Sequence, residues 1–356
     1  MKRNPGFLAT GIGSMPFSDA ERAASLALEK LPEAPVWPQL PRIDSREQME
    51  IQYSEGMPRA IVNAQTGSMH FDTSGDYSDD LAGFYESYLA AMDPEEGNGD
   101  CSSMAISRDY SQGLYALEGL LQKTDKLPFV KVQTTGPCSF ALTVTDQNKR
   151  AIYYNEEFRD MVVKALAMKS RWQVQRYRDY ADQVICFIDE PILSAFGSST
   201  YVAVDRDDVI VQLSEVVEAI HADGALAGIH CCGNTDWSLP METGADIVNF
   251  DAYQYGETIA MYPDAVQAHL ERGGLLAWGV VPTSAAVCEE TAASLAARLE
   301  QLVDKLASTG IDKQLILEHA VITPSCGTGS LEPDNAVQVL DLVQPVSELM
   351  RQKHLN

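Results

Sequence analysis

Short runs of apolar residues alternate with longer stretches of helical periodicity along most of this chain. The runs are rich in Val, Ile, Leu and Phe, and their lengths suit buried strands. Eight such runs are predicted as strands, at positions 7–12, 35–37, 129–133, 184–188, 225–230, 247–250, 275–278 and 315–322. Strands that alternate with helices indicate βα units, which build a parallel sheet.

The stretches between the runs carry apolar residues three or four positions apart, so each offers one apolar face to the sheet. Two such stripes are Val209, Leu213, Val216 and Ile220, and Leu295, Leu299, Leu302 and Leu306. A glycine follows each stripe, Gly224 and Gly310, as is common just beyond a helix. Eight strands joined by helices predict an α/β protein with the architecture of a (β/α)₈ TIM barrel.

One region breaks this rhythm. From about position 44 to about position 125, Tyr and Met residues are mixed with an acidic, glycine-containing loop at 93–100. The chain has 356 residues, whereas one barrel typically needs roughly 250. We therefore expect a single barrel domain over 1–356, with an insertion at about 44–125 that lies over the barrel mouth. A surface decoration without a chemical role is the alternative.

The balance of charges excludes several classes of partner. The chain carries 26 Lys and Arg against 51 Asp and Glu, a formal net charge of −25. Nucleic acids and anionic membranes need clustered basic side chains, so neither is expected as a partner. The first apolar run is too short for a signal peptide, and no stretch is long enough to span a bilayer. The seven cysteines then indicate free thiols in a cytoplasmic protein.

His230, Cys232 and Cys326 are the residues best suited to chemistry. Side chains alternate along a strand, so His230 and Cys232 project the same way at the end of the fifth predicted strand, while Cys231 points elsewhere. Cys326 follows the last predicted strand, and in a barrel all strand ends open onto one mouth. One imidazole and two thiolates suit zinc and leave its fourth position open for a substrate. A set of ordinary buried thiols explains the spacing equally well.

Four segments resemble known enzyme families. Positions 229–235, Ile-His-Cys-Cys-Gly-Asn-Thr, resemble the zinc motif of methylcobamide:thiol methyltransferases. Positions 323–327, Thr-Pro-Ser-Cys-Gly, resemble the last ligand segment of cobalamin-independent methionine synthase, and positions 10–16 and 187–191 resemble two further segments of its catalytic domain. These families share a barrel with uroporphyrinogen decarboxylase. The resemblance runs from about residue 7 to 330.

The resemblance implies roles for single residues. His230, Cys232 and Cys326 would bind zinc, while Ser14 and Asp189 would hold the amino-acid part of homocysteine. The chemistry agrees, because a carboxylate pairs with an ammonium group and a hydroxyl or turn amide binds a carboxylate. Without a substrate, Ser14 would be a turn or cap residue and Asp189 a salt-bridged strand end.

The same resemblance assigns roles to one further residue and to one turn. Methionine synthases contribute a glutamate ligand from the strand after the His-x-Cys segment, and the corresponding residue here is Asp251. Its side chain is one methylene shorter, so Asp251 is a candidate fourth ligand only. Thr135-Gly136-Pro137 resembles a Thr-Gly-Pro turn of the family, which would shape the mouth.

The chain departs from methionine synthase where the methyl donor would bind. Positions 278–283 contain no counterpart of the family's catalytic histidine, and 356 residues leave no room for the additional N-terminal barrel that helps to bind folate. A methyl group on cobalt leaves without needing a proton. The resemblance and the acidic charge together favour a methylated corrinoid, or a corrinoid protein, as donor, with no catalytic residue beyond the zinc site.

The sequence therefore predicts a zinc-dependent S-methyltransferase that acts in methionine biosynthesis and passes a methyl group to homocysteine. Coenzyme M or another small thiol remains open as the acceptor. One alternative is a tetrapyrrole decarboxylase like uroporphyrinogen decarboxylase, which would use Arg42 and Arg46 to hold substrate carboxylates. Another is a non-catalytic zinc- or corrinoid-binding protein. The insertion would either dock a corrinoid protein or be buried in a homo-oligomer.

Overall fold

A curled parallel sheet forms the centre of the protein. The computed structural model describes residues 6–92, 99–196 and 204–355, so most of the acidic loop at 93–100 lies outside the described residues. Ten strands are described: β1 (Leu8–Ala9), β2 (Ala60–Asn63), β3 (Ser68–Phe71), β4 (Leu127–Thr135), β5 (Thr145–Asp146), β6 (Ala181–Asp189), β7 (Leu226–Cys231), β8 (Ile247–Phe250), β9 (Leu275–Val281) and β10 (Ala320–Pro324).

Seven of these strands pair in the order β1-β10-β9-β8-β7-β6-β4, and all neighbours are parallel. Strands next to each other in this order mostly follow each other in the chain, as right-handed βα units require. β2, β3 and β5 form a separate small sheet. The protein is therefore an α/β protein with a TIM-barrel-like fold, and its sheet is not a fully closed barrel.

The gap lies between β1 and β4, where residues 33–39 replace the predicted second strand. Val36 makes a single parallel bridge to Lys131 of β4, and Ser14 makes one to Gln39. Pro35 and Pro38 have no N–H group to donate, so this segment cannot form a continuous ladder. We call residues 33–39, with the ends of β1 and β4 that they bridge, the seam.

Buried polar side chains carry the hydrogen bonds that a ladder would otherwise supply at the seam. Gln133 Nε2 donates to the Trp37 carbonyl over 3.0 Å, and the Gln133 carbonyl accepts from Tyr53 Oη at 2.6 Å and from Gln173 Nε2 at 2.9 Å. Trp37 Nε1 in turn donates to Gln173 Oε1 at 2.9 Å. All four side chains are fully buried, so each hydrogen bond satisfies a group that water cannot reach.

The predicted strand at 315–322 is partly wrong. Its first half belongs to a short helix, Lys313–Glu318, and the strand begins only at Ala320. Asp312 explains the difference, because its side chain accepts a hydrogen bond from the Gln314 N–H and so caps a helix start that the apolar run conceals.

Helices surround the sheet. Those described are α1 (Ala20–Lys30), α2 (Met49–Ser54), α3 (Ser78–Met92), α4 (Gln112–Leu121), α5 (Pro137–Thr143), α6 (Glu156–Tyr177), α7 (Arg206–Ala222), α8 (Ser238–Glu242), α9 (Ala252–Tyr255), α10 (Pro263–Glu271), α11 (Ala292–Ala307), α12 (Lys313–Glu318) and α13 (Pro333–His354). The two predicted stripes are confirmed, since they form the buried faces of α7 and α11. Within the described residues, none of these helices is both long and apolar enough to cross a membrane.

The predicted insertion contains α2, the β2–β3 hairpin, α3 and α4. Its last helix, α4, packs against α1 in the layer of helices around the sheet. Lys169 of α6 holds an earlier part: its fully buried Nζ donates to the carbonyls of Glu55 at 2.6 Å and of Met104 at 3.2 Å. The region is thus tied to the central domain by buried contacts.

Glu47 connects this region to the seam. Its buried carboxylate accepts hydrogen bonds from the N–H groups of Leu40 at 2.9 Å and of Gln112 at 3.0 Å. Burial raises the pKa of Glu47 to about 7, although both hydrogen bonds oppose the shift. One carboxylate therefore links Leu40, the residue that follows the seam, to the start of α4.

A pair of glycine substitutions in α4 tests this packing. A Cβ atom at Gly113 would lie 1.9 Å from the Pro38 carbonyl, whereas one at Gly119 meets nothing within 4 Å. We expect Gly113→Ala to lower the free energy of unfolding by roughly 1–3 kcal/mol or more. Gly119→Ala should raise it by up to about 1 kcal/mol, because alanine favours helix. Urea unfolding measures both, and equal effects would contradict the contact with the seam.

The titration of Glu47 predicts a pH dependence. Its pKa is about 7 in the folded protein and 4.5 in an unfolded chain, so the folded state binds more protons between these values. The free energy of unfolding therefore falls as pH rises from 4.5 to 7. Relative to Glu47→Gln, the wild type should lose about 3 kcal/mol across this window. Urea unfolding at a series of pH values measures the difference; parallel profiles would show that Glu47 does not titrate in this way.

Candidate functional site

Four of the residues singled out in the sequence lie at the carboxyl ends of three parallel strands, β6, β7 and β10. Asp189 ends β6 and is the register partner of His230 in β7. Cys232 directly follows β7, and Cys326 lies two residues beyond β10. Because the carboxyl ends of parallel strands meet at one edge of the sheet, residues far apart in sequence come together there.

His230, Cys232 and Cys326 form a compact group. One ligand atom from each, an imidazole nitrogen or a sulfur, lies within 4.8 Å of the other two. In a tetrahedral zinc site with bonds of about 2.0–2.3 Å, ligand atoms are roughly 3.5–3.8 Å apart. The spacing of the three side chains therefore fits a single ion with small adjustments of their rotamers.

Asn249 orients the His230 ring. Asn249 Nδ2 donates to the carbonyl of Ala277 at 2.9 Å and to Thr323 Oγ1 at 2.7 Å, so its Oδ1 faces His230 Nδ1 at 2.5 Å. This network assigns the proton to Nδ1 and leaves a lone pair on Nε2. Nε2 is buried and has no hydrogen-bond partner among the described residues. A buried acceptor of this kind is what a metal ion would satisfy.

The thiols of Cys232 and Cys326 interact with each other. Hydrogen bonding from Cys326 holds the pKa of Cys232 well below its usual range. Hydrogen bonding to Cys232, together with burial, raises the pKa of Cys326 in turn. The neighbouring Cys231 stands apart, since its Sγ faces the Gly233 carbonyl at 3.5 Å and burial raises its pKa to about 12. The donor set of one imidazole and two cysteines thus fits zinc.

A cavity of about 240 Å³ opens beside this group. Its lining residues are Ile12, Ser14, Gln39, Pro41, Glu47, Met49, Asp189, Pro191, His230, Cys232, Cys326 and Gly327. Glu47 and Met49 come from the predicted insertion, so this region contributes part of the wall. Lys and Arg are absent from the lining formed by the described residues, and the charged groups there are carboxylates and thiols.

Asp189 presents an unused oxygen at this cavity. Its residue is 9% exposed, and Oδ1 has no hydrogen-bond partner among the described residues. Asp189 also takes part in no salt bridge there, which removes the salt-bridged strand end as an explanation. Burial raises its pKa, while the charge of Lys131 favours the carboxylate and limits the shift. The group is available to a cationic ligand.

Ser14 lies where the turn after β1 meets the loop that carries Cys326. Its carbonyl accepts from the Thr328 N–H at 2.8 Å and from Thr328 Oγ1 at 3.0 Å. A Cβ atom at Gly327 would lie 2.1 Å from Ser14 Oγ, so the loop can approach only because this position is glycine. The contact fixes Ser14 beside the three-residue group.

Asp251 is not a member of that group. Its carboxylate accepts from the Gln254 N–H at 2.9 Å and caps α9, and burial raises its pKa to about 6. It is close enough to interact electrostatically with Cys232 and His230. In this arrangement the side chain serves the helix that follows β8.

Glu190 is a site residue that the sequence did not reveal. Its fully buried carboxylate accepts from the N–H groups of Cys138 at 3.2 Å and Ser139 at 2.5 Å, and burial raises its pKa to about 7. A Cβ atom at Gly136 would lie 2.0 Å from this carboxylate. The Thr-Gly-Pro turn thus makes room for the Glu190 carboxylate. In the sequence, the glycine of this turn was the signal for that close approach.

The two arginines that a decarboxylase would use, Arg42 and Arg46, interact with groups outside the cavity. Arg46 pairs with Asp44 at 3.0 Å and with Asp109 at 3.1 Å. Arg42 is exposed and donates to the Leu331 carbonyl at 2.7 Å. Neither lines the cavity, so the described residues offer no arginine for substrate carboxylates inside it.

Comparisons with known proteins identify the fold. No protein-family model and no curated protein matches the chain. Among solved structures, a methyltransferase from Methanosarcina mazei superposes with a TM-score of 0.53 and 16% identity over 93% of this chain and 86% of that one. A B12-independent methionine synthase from a Shewanella species, in complex with selenomethionine, gives a TM-score of 0.46 and 16% identity over 70% of this chain and 71% of that one. The chain therefore shares its fold with the Methanosarcina methyltransferase, at low sequence identity.

Proposed function

We propose that this protein is a zinc-dependent S-methyltransferase that transfers a methyl group from a methylated corrinoid to homocysteine. One observation carries the proposal: ligand atoms of His230, Cys232 and Cys326 lie within 4.8 Å of one another, beside a cavity that Asp189 also lines, and both His230 Nε2 and Asp189 Oδ1 lack a hydrogen-bond partner among the described residues. The possible metal ligands therefore lie at the same cavity as a carboxylate that can pair with an ammonium group. Homocysteine carries both a thiol and an ammonium group.

His230, Cys232 and Cys326 would hold the metal, with Asn249 fixing the histidine tautomer. Three protein ligands leave one position for a substrate. Zinc held by these three residues would supply Lewis acidity, which lowers the pKa of a coordinated thiol to near neutrality. The orphaned nitrogen and the low pKa of Cys232 both support this assignment.

The remaining cavity residues would bind the rest of the acceptor. Asp189 would pair with its ammonium group and Ser14 with its carboxylate. Ile12, Met49 and Pro191 offer apolar surface for the two methylene groups and exclude water from the sulfur. These contacts would hold the acceptor with its sulfur towards His230, Cys232 and Cys326.

A methylated corrinoid is the donor that this proposal favours. The acceptor sulfur forms a bond to the methyl carbon while the cobalt–carbon bond breaks, its electron pair stays on cobalt, and the thiol proton passes to solvent. No side chain has to protonate the leaving group. A polyanionic folate would find no Lys or Arg in the lining formed by the described residues, and the net charge of −25 would repel it.

Zinc content and the coordination shell test the proposed function. Protein purified without chelators should contain one zinc per chain, and its zinc K-edge absorption should gain a sulfur neighbour when homocysteine is added. A zinc shell that ignores thiols would favour a binding protein, and a chain without zinc would remove the proposal. Incubation with methylcobalamin and homocysteine, followed by detection of methionine, then separates an enzyme from a stoichiometric binder.

Replacing single cysteines separates the ligand from its neighbour. Cys232→Ser should lose most of the zinc and reduce methyl transfer by at least about a hundredfold, because a hydroxyl is a poor ligand for zinc. Cys231→Ala is the matched control, since this thiol faces the Gly233 carbonyl instead. It should retain one zinc per chain. Full activity in Cys232→Ser would rule out this residue as a ligand.

Asn249 offers a graded test of the histidine ligand. Asn249→Ala removes the partner of His230 Nδ1 and should weaken zinc affinity by roughly 10–100-fold. Thr323→Val removes only one acceptor of the Asn249 amide and should have a smaller effect. Competition with a chromophoric chelator measures both affinities. Unchanged affinity in Asn249→Ala would mean that the ring is oriented by packing alone.

A further inference from the structure

Gln39 has an amide oxygen that no described residue uses. The residue lies at the end of the seam, is 7% exposed and lines the cavity beside the proposed metal ligands. Its Nε2 donates to Gln52 Oε1 at 2.8 Å, and the same nitrogen faces Tyr53 Oη at 3.5 Å. No group among the described residues donates to Gln39 Oε1. This oxygen is therefore free to accept a hydrogen bond from a ligand.

A relay of hydrogen bonds fixes which end of this amide is left for the cavity. Gln52 Nε2 donates to the Tyr110 carbonyl at 2.6 Å, so Gln52 Oε1 has to accept from Gln39. Tyr53 Oη donates to the Gln133 carbonyl at 2.6 Å and offers Gln39 only a lone pair. Neither Gln52 nor Tyr53 lines the cavity. The nitrogen of the Gln39 amide therefore points into the protein, and the oxygen is the atom left to the cavity.

The backbone places Gln39 next to Ser14. The Gln39 N–H donates to the Gly13 carbonyl at 3.1 Å, and its carbonyl accepts from the Met15 N–H at 2.9 Å, which makes the parallel bridge between Gln39 and Ser14. A Cβ atom at Gly13 would lie 2.8 Å from Gln39 Oε1, so the oxygen lies against the turn that carries Ser14. The ammonium and carboxylate groups of an α-amino acid share one carbon atom. Neighbouring residues are therefore suited to bind them.

A substrate ammonium group needs more acceptors than Asp189 supplies. It carries three N–H donors, and each one that stays unpaired inside the cavity weakens binding. Glu47 is the other carboxylate in the lining, but each of its oxygens already accepts a backbone N–H. Ser14 is assigned to the substrate carboxylate. Apart from the proposed metal ligands, Gln39 Oε1 is then the side-chain acceptor that remains in the lining formed by the described residues.

We propose that Gln39 is a specificity-determining residue of the acceptor site: its Oε1 accepts a hydrogen bond from the ammonium group that pairs with Asp189, and so selects thiols that carry an amino group. The inference rests on the proposed function and adds a residue to it. Asp189 supplies a charge, whereas Gln39 supplies a neutral acceptor of fixed direction. A thiol without an amino group gains nothing from this contact.

Gln173 provides a matched control. It belongs to the same polar network, since its Oε1 accepts from Trp37 Nε1 at 2.9 Å and its Nε2 donates to the Gln133 carbonyl at 2.9 Å. It is fully buried and does not line the cavity. Gln39→Met and Gln173→Met each remove one buried amide and keep a side chain of similar length. Only the first removes an acceptor from the cavity.

Three thiols test the inference: homocysteine, 4-mercaptobutanoate, which lacks the amino group, and 3-mercaptopropylamine, which lacks the carboxylate. Calorimetric titration of the zinc-loaded protein should show that Gln39→Met weakens binding of both amino thiols by roughly tenfold. Binding of 4-mercaptobutanoate should change by no more than about twofold. Gln173→Met should leave the ratios of the three affinities as in the wild type. With methylcobalamin as donor, Gln39→Met should raise KM for homocysteine more than it lowers kcat.

Three results would overturn the inference. Equal losses for all three thiols would mean that the substitution distorts the cavity, and losses confined to the two thiols with a carboxylate would place Gln39 at that group instead. Unchanged affinity for the amino thiols would leave the ammonium group to other acceptors. If the wild type binds none of the thiols, the proposed function fails and the inference fails with it.

A second variant guards against misfolding. Gln39→Met leaves Gln52 Oε1 without its donor, whereas Gln39→Met combined with Gln52→Leu removes both partners at once and should be tolerated better. The double variant should show the same pattern of affinities for the three thiols. Thermal unfolding and zinc content confirm that each variant is folded and loaded before titration.

Discussion

The sheet depends on one constraint: its two edges must be joined by a segment in which Pro35 and Pro38 prevent a continuous ladder. Residues 33–39 bridge β1 and β4 with isolated backbone contacts. Buried Gln133, Trp37 and Gln173 supply the other hydrogen bonds. Such a network is strong only when every member is satisfied, because an unpaired polar group in the interior costs more than a pair contributes. The curvature that brings the strand ends together rests on this set of side chains.

The candidate site is built on the same constraint. Gln39, at the end of the seam, lines the cavity, and Glu47 fixes the next residue of the chain, Leu40, to the start of α4. Lys131 binds the carbonyl of Ile12 from the opposite strand. The walls on this side of the cavity are therefore held by buried polar contacts. The side that carries Asp189, His230, Cys232 and Cys326 is held by three ladder strands, β6, β7 and β10.

Local patterns of apolar residues were enough to predict several strands and helices. The run at 247–250 and the stripe from Val209 to Ile220 are apolar with a clear period, and both formed the expected elements. The alternation in His230-Cys231-Cys232 was enough to suggest that His230 and Cys232 project to the same side. The helix at Lys313–Glu318 was missed because its apolar residues continue directly into a strand. Buried polar residues such as Asn249, Glu190 and Lys131 were missed because their partners lie on other elements of the fold. For Asn249 and Lys131 the local signal was a polar residue inside an apolar run, and for Glu190 it was Gly136.

The chain positions of the metal-binding candidates also have a consequence for assembly in the cell. His230 and Cys232 follow β7, whereas Cys326 follows β10, the last strand, which pairs with β1 at the other end of the chain. Synthesis proceeds from the N-terminus, so a nascent chain has two of the three donors long before the third. A metal captured at that stage would have only part of its ligand set and would exchange readily. Firm retention of the proposed metal would then be a sign that the last strand has docked, and the ion would report completion of the fold rather than initiate it.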